Sequence, residues 1–237
     1  MTDKSHIATM FDGIATHYDF LNHLLSFNID RTWRRKAVHC LKCNPTNVLD
    51  LATGTGDLAI LLAKHYPHAH ITGIDLSEKM LELGRKKIQK KRLENRISLL
   101  QGDAQKLPFN NGSFDALTVA FGVRNFENME KSLYEMRRVL KPGAKAVILE
   151  FSLPKKQPIK TLYLFYFHRI LPRLGKLISK NKNAYQYLPR SVDSFPDPDA
   201  FEQKLLQYGF KNCIRRQLSG GIAQLYSAHV ADGHANN

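Results

Sequence analysis

The chain has 237 residues, 43% hydrophobic and 24% charged, enough to bury a full core in one large domain. Its longest apolar runs, near "LTVAF" and "LYLFYF", fall far short of the ~20 residues of a membrane span, and "MTDKSHIATMFDG" lacks the basic-then-apolar order of a secretory signal. A net charge of +14 draws polyanions, either nucleic acid or an anionic membrane face, or marks only a solvated basic surface.

Residues 1–46 read as a helical cover over the C-terminal edge of a following sheet. Cys40 and Cys43 close that segment as a CxxC, but no second pair or histidines complete a zinc site, so they read as residues at a helix end. No other grouping has metal-ligand spacing. With no export signal and few cysteines, the expected location is the cytoplasm.

From residue 47 short β-rich runs alternate with helical patterns. "NVLDLA" is a strand, and "DLAILLAKHY" a helix with Leu58, Leu61 and Leu62 on one side. "HITGID" follows, then a helix capped by Ser77 that carries Met80, Leu81 and Ile88. "RISLLQGD" and "SFDALTVAF" are two more strands. Met129, Leu133, Met136 and Leu140 mark a helix ending at "KPG", before a fifth strand, "AKAVILEF". Asp197 and Pro198 start a late helix as cap and first residue. "FKNCIRRQL" and "IAQLYSAHV", split by Ser219-Gly220-Gly221, close the chain as a hairpin. The expected fold is α/β: a doubly wound, Rossmann-like, mostly parallel seven-stranded sheet over 47–237, ending in an antiparallel hairpin and interrupted by an insertion at 152–195.

The chemistry concentrates at "VLDLATGTGD", residues 48–57, where a strand breaks into a turn holding Gly54 and Gly56. Ligands on such sheets bind beyond the carboxyl ends of the strands, beside this turn. Asp75 closes the second strand 19 residues past Gly56, the distance at which a carboxylate meets an adenosine ribose. A nicotinamide dinucleotide fits that much equally well. Its pyrophosphate, however, needs the helix N-terminus, where Asp57 competes and repels. A ligand without phosphate and with a positive centre fits better, and S-adenosylmethionine is such a ligand. On this reading Gly54 and Gly56 admit its amino-acid part, Asp50 orients its ammonium, and Asp75 holds the ribose. Asp103 and Ala104, after the third strand, address the adenine.

Three longer stretches carry a resemblance. "YDFLNHLLSFNIDRTW" (Tyr18 to Trp33), "GVRN" (Gly122 to Asn125) and "RVLKPGAKAVILEFS" (Arg138 to Ser152) resemble signatures of the menaquinone/ubiquinone biosynthesis C-methyltransferases, and the similarity runs over nearly the whole chain. Leu21 stands where the pattern has Met, Asp30 where it has His, Ala144 where it has a second Gly, and Ala120 where some members carry a cofactor-contacting Ser. The resemblance implies a class I methyltransferase moving a methyl from S-adenosylmethionine to a ring carbon of a polyprenylated hydroquinone. It carries the cofactor role to Thr55, Asp75, Asp103 and Ala104. It puts Arg124 and Asn125 at the reacting ring, the arginine assisting loss of a hydroxyl proton through a water. A guanidinium stays protonated, so Arg124 itself stabilises a phenolate and does not act as the base. Only a reduced quinol has a hydroxyl whose deprotonation enriches the ring carbons, so the reduced form is the expected substrate. Demethylmenaquinol is the favoured acceptor, with a 2-methoxy-6-polyprenyl benzoquinol or a soluble phenol as alternatives.

Pro158 to Lys180 gives the charge a use. Arg169, Arg173, Lys176 and Lys180 recur along one helical line, and Tyr163, Phe167, Ile170, Leu174 and Leu177 along another, with Pro172 kinking the helix. A basic amphipathic helix suits peripheral contact with an anionic bilayer from which a prenyl tail is drawn, although core packing or a homodimer face would show the same pattern. A nucleic-acid partner is disfavoured: "AFGVRNF" after the fourth strand lacks the Asn/Asp-Pro-Pro-aromatic grip on an exocyclic amine. A non-enzymatic lipid-binding module would have no use for the acids around the glycine turn.

Overall fold

A computed structural model describes residues 7–15, 26, 28–41, 44–170 and 182–231. Strand β1 (Asn47–Leu51) lies at the centre, with every residue after Asn47 buried, as a strand covered on both faces must be. It pairs in parallel with β2 (His70–Asp75) on one side and with β4 (Phe114–Ala120) on the other. With β3 (Ile97–Gln101), β5 (Leu140–Phe151), β6 (Phe210–Leu218) and β7 (Ala223–Val230) the sheet runs β3-β2-β1-β4-β5-β7-β6. Strand β7 is antiparallel to both neighbours, which completes the expected hairpin.

Alternate residues of β1 serve two cores. Val48 joins Trp33, Leu58, Leu62 and Leu81 on one face; Leu49 and Leu51 join Leu133, Met136, Phe201 and Leu205 on the other. The first face carries α2 (Ile29–Cys40), α3 (Asp57–His65) and α4 (Glu78–Lys90), and the second α5 (Met129–Val139) and α8 (Pro198–Gln207). Crossovers leave β1 in opposite directions, so a crevice opens where β1 and β4 end side by side.

The caps follow local chemistry. Ser77 accepts from the Met80 amide at 3.2 Å, and Asp197 accepts from Asp199 and Ala200 at 2.9 and 3.1 Å with Pro198 at the first helical position, both as expected. Asn128 caps α5 through the Lys131 amide at 2.9 Å, a signal the periodicity did not register. That helix ends at Val139, because the chain turns directly into β5, which pairs from Leu140 with an irregularity before Lys145.

Two segments close over the crevice. A helix over residues 7–15 is α1, and α7 (Lys182–Ser194) comes from the insertion. They meet where Met10, Phe11 and Ile14 pack with Tyr187. In the insertion α6 (Ile159–Phe165) runs into a π-helical turn at Tyr166–Ile170. Tyr163 is buried against Phe151, Tyr166, Val192 and Ile222, so the first part of the expected aromatic stripe packs on the domain. Tyr18, Leu21, Cys43, Pro172, Arg173, Leu174, Lys176, Leu177 and Lys180 lie outside the described residues. No helix among the described residues is long and apolar enough to cross a membrane.

Candidate active site

Two non-glycine residues beside the crevice, Ala52 and Phe121, hold left-handed backbone. Gly54 (φ 56°) and Gly56 (φ 78°) take left-handed conformations in the turn between β1 and α3. Ala52 (φ 52°) and Phe121 (φ 60°), just past the ends of β1 and β4, do the same without a glycine's licence. Each such residue costs on the order of 1 kcal/mol or more, and such positions cluster where chain is bent around a ligand.

A cleft with about 720 Å³ of empty space, part of it open to solvent, lies beside this turn. Strand-end loops supply Gly54, Asp75, Asp103, Ala104, Asn125 and Glu127, and α1 adds Ile7, Ala8 and Phe11 as a roof. Its described lining holds three carboxylates, from Asp75, Asp103 and Glu127, and no lysine or arginine. A pyrophosphate would meet only like charge there, whereas a cationic nucleoside is attracted.

Asp75 staples two βα units together. One carboxylate oxygen accepts from the Gly54 amide at 2.8 Å and the other from the Ser77 amide at 2.9 Å. Burial raises its pKa above the ordinary carboxylate value, while the Ser77, Gly54 and Leu76 amides pull it back. Each oxygen still has acceptor capacity toward the cleft. Asp103 accepts from the Gln105 amide at 2.9 Å, which fixes the turn carrying buried Ala104.

A small polar recess adjoins the cleft through Ala52, Gly54 and Ala120, and Arg34, Asp50, Thr53, Thr55 and Asp57 also line it. Asp50 is 1% exposed and accepts from the Thr53 and Thr118 hydroxyls at 2.7 and 2.6 Å. Desolvation lifts its pKa from 3.8 to about 6, opposed by those hydroxyls and by Arg34, and Asp75 adds to the rise. The sign follows. The folded protein holds this proton more tightly than the unfolded chain, so the stabilising contribution is full below about pH 4 and lost as pH rises through 6. Binding of an ammonium runs the other way, since it needs the anion. Affinity for S-adenosylhomocysteine is therefore expected to climb about tenfold from pH 5 to pH 7. Titration calorimetry should find that slope flattened in Asp50→Asn.

Two expectations are altered by the geometry. Asp57 does not stand as an unbalanced charge: Lys87 Nζ lies 2.6 Å from its carboxylate and donates to the Thr55 hydroxyl at 2.8 Å. The case against phosphate rests instead on Asp75, Asp103 and Glu127. Thr55 is 3% exposed and reaches the recess rather than the main cleft. Lys87, 30 residues further along the chain, gave no local signal of this pairing.

Arg124 and Asn125 share a 3₁₀ turn after β4 but face differently. Asn125 lines the cleft and accepts from the Tyr187 hydroxyl at 3.0 Å. Arg124 turns inward to a carboxylate of Glu150 at 2.7 Å, donates to the Phe121 carbonyl at 2.5 Å and the Ser191 hydroxyl at 3.3 Å, and sits 5.3 Å from the Phe151 ring centre. Glu150 is fully buried. Phe121 stacks on Phe151 at 4.4 Å, with Trp33 of α2 6.1 Å from each, forming an aromatic wall between cleft and insertion. Periodicity did not single out Phe121, Gln105, Phe126, Glu127 or Tyr187. Ala120, where some members of the resembled family carry a hydroxyl-bearing Ser, lines both cavities.

Sheet order, glycine turn and acid-lined cleft together define a class I S-adenosylmethionine-dependent methyltransferase. A structure from Thermotoga maritima, described as an S-adenosylmethionine-dependent methyltransferase and possible histamine N-methyltransferase, shares the fold with a TM-score of 0.67 at 18% identity, covering 94% of this chain and 99% of that one. The chain belongs to the ubiE/COQ5 methyltransferase family, whose model matches residues 1–230. It is 45% identical to a demethylmenaquinone methyltransferase of Bacteroides fragilis over 95% of this chain and 92% of the relative. Against a ubiquinone/menaquinone biosynthesis C-methyltransferase of Geotalea daltonii the identity is 47%, over 96% and 97%. Its methyl donor is S-adenosylmethionine, which the three carboxylates of the described cleft lining fit.

Proposed function

We propose that this enzyme methylates a ring carbon of demethylmenaquinol, the reduced form of a polyprenylated naphthoquinone. The observation that carries the reading is the pairing of an acid-lined cleft with an adjoining aromatic wall of Phe121, Phe151 and Trp33, under a roof of Ile7, Ala8 and Phe11. Similarity to relatives named for menaquinone biosynthesis favours the naphthoquinol over the benzoquinol.

Asp75 takes the ribose hydroxyls, Asp103 and Ala104 border the adenine, and Asp50, Gly54, Thr55 and Gly56 surround the amino-acid end. Bound there, the donor supplies a methyl carbon already activated by positive sulfur. The residues' task is alignment, with reacting atoms held ~3–3.5 Å apart. Asn125 meets the ring oxygen: its carbonyl accepts from Tyr187 and one amide hydrogen points to the Phe121 carbonyl at 3.5 Å, and the second amide hydrogen donates to a developing phenolate. Arg124 serves the ring from behind, holding the turn that presents Asn125. Incubation with labelled donor and each reduced quinol, followed by mass spectrometry of the rings, tests the assignment. Labelling of a soluble phenol with neither quinol labelled would sink it.

Peripheral membrane contact belongs to the same proposal. Leu162 and Phe165 are 66% and 59% exposed, beside Leu153 and Ile159 and among exposed Lys155, Lys156 and Lys160. This is the pairing of apolar and basic groups that anionic lipid attracts. Leu162→Asp with Phe165→Asp is expected to reduce sedimentation with phosphatidylglycerol vesicles at least tenfold. Methylation of a vesicle-embedded quinol should fall with it, and methylation of a short-tailed quinol in solution should not.

A further inference from the structure

The recess beside the glycine turn contains one feature with no part in holding adenosine or ring. Of the described residues lining cleft and recess, Arg34 is the one cation. It belongs to α2, which precedes the first strand and packs on the face of the sheet that also carries α3 and α4, and it is only 9% exposed. Asp30, one turn earlier, pairs with Arg34 Nη1, and the Ser26 hydroxyl donates to Asp30 at 2.5 Å. The Arg34 guanidinium carbon lies 5.3 Å from the Phe121 ring centre. An ion pair at one edge and an aromatic face against the plane give this fork a set orientation. Across the same recess sits the buried carboxylate of Asp50.

A cavity with a buried guanidinium on one wall and a buried carboxylate on another matches a zwitterion. The donor's amino-acid end is one, with an ammonium for Asp50 and a carboxylate still lacking a counter-ion among Gly54, Thr53 and Thr55. We infer that Arg34 binds the carboxylate of the methyl donor, so that α2, from ahead of the first strand, supplies half of the amino-acid subsite. This rests on the assignment of the cleft to S-adenosylmethionine. A guanidinium has five donors in a plane, so one edge can be held by Asp30 while another receives a second carboxylate. Asp30 then acts as a positioning residue for that fork.

The test compares ligands differing only at that carboxylate. S-adenosylmethionine and its decarboxylated analogue share adenosine, sulfonium and ammonium. Calorimetry on the full chain is expected to show the wild type binding the complete donor at least tenfold more tightly. Arg34→Met should erase that preference while binding the decarboxylated analogue within about threefold of wild type, which also reports a folded site. Arg34→Lys, which keeps charge without the fork, should retain part of it and substitutes for the methionine variant should that one fail to fold. Equal wild-type affinity for both ligands overturns the inference with no variant needed. Equal loss of both ligands in a folded variant also overturns it, by reducing Arg34 to a packing residue. Binding of neither ligand by the wild type would instead remove the assignment of the cleft itself.

Discussion

Replacing Asp75 by Asn is expected to weaken S-adenosylhomocysteine binding by about 30-fold or more. The carboxylate accepts from two backbone amides, Gly54 and Ser77, on loops from different strands. An amide side chain offers NH₂ to one of them, donor against donor, so the glycine turn loses its attachment to β2 and the ribose loses an anionic acceptor. Removing a buried charged partner of this kind costs about 2–5 kcal/mol, which is roughly 30- to several-thousand-fold in affinity. Asp57→Asn supplies the contrast. Asp57 is partly exposed and paired with Lys87, and such pairs contribute about 0–1 kcal/mol, so its loss should change affinity by no more than about fivefold. Calorimetric titration of both variants decides. Comparable losses at the two positions would mean the electronegative surface, and not the Asp75 staple, governs binding.

The second large effect is on stability. Arg124→Met leaves Glu150, fully buried, without its guanidinium, and breaking a buried ion pair from one side costs about 3–5 kcal/mol. Arg124→Met with Glu150→Gln removes both charges and should regain most of that loss in urea denaturation. Activity separates packing from chemistry. The double variant is expected to be folded and to bind the donor, yet to methylate quinol at least tenfold more slowly, because the Phe121 carbonyl and Ser191 contacts that orient the Val123–Asn125 turn are gone. Full activity in the double variant would leave Arg124 with a structural role alone.

Local chemistry reached a long way in this chain. The buried run of β1, the Ser77 and Asp197 caps, and the glycines at 54 and 56 each follow from interactions within a few residues, and they suffice for a doubly wound sheet with a ligand turn. The acids at 50, 75 and 103 were legible because each ends or follows a strand, and in a parallel sheet those ends share one edge. What could not be read was the partner of each charge. Asp57 meets Lys87, Arg124 meets Glu150, and Asn125 meets Tyr187 across 30, 26 and 62 residues. Electrostatic energy depends on distance in space, and sequence separation carries none of it.

The order of local elements, and with it the edge of the sheet at which the glycine turn sits, was settled by the sequence alone, since hydrophobic period and backbone stereochemistry act over one or two turns. The tertiary structure decided where each charge can act. Packing paired Asp57 and Arg124 with distant partners, placed Asp75, Asp103 and Glu127 at the cleft, and brought Arg34 of α2 to the recess. Those outcomes depend on burial, because a charge withdrawn from water must be matched by whatever the fold brings within a few ångströms.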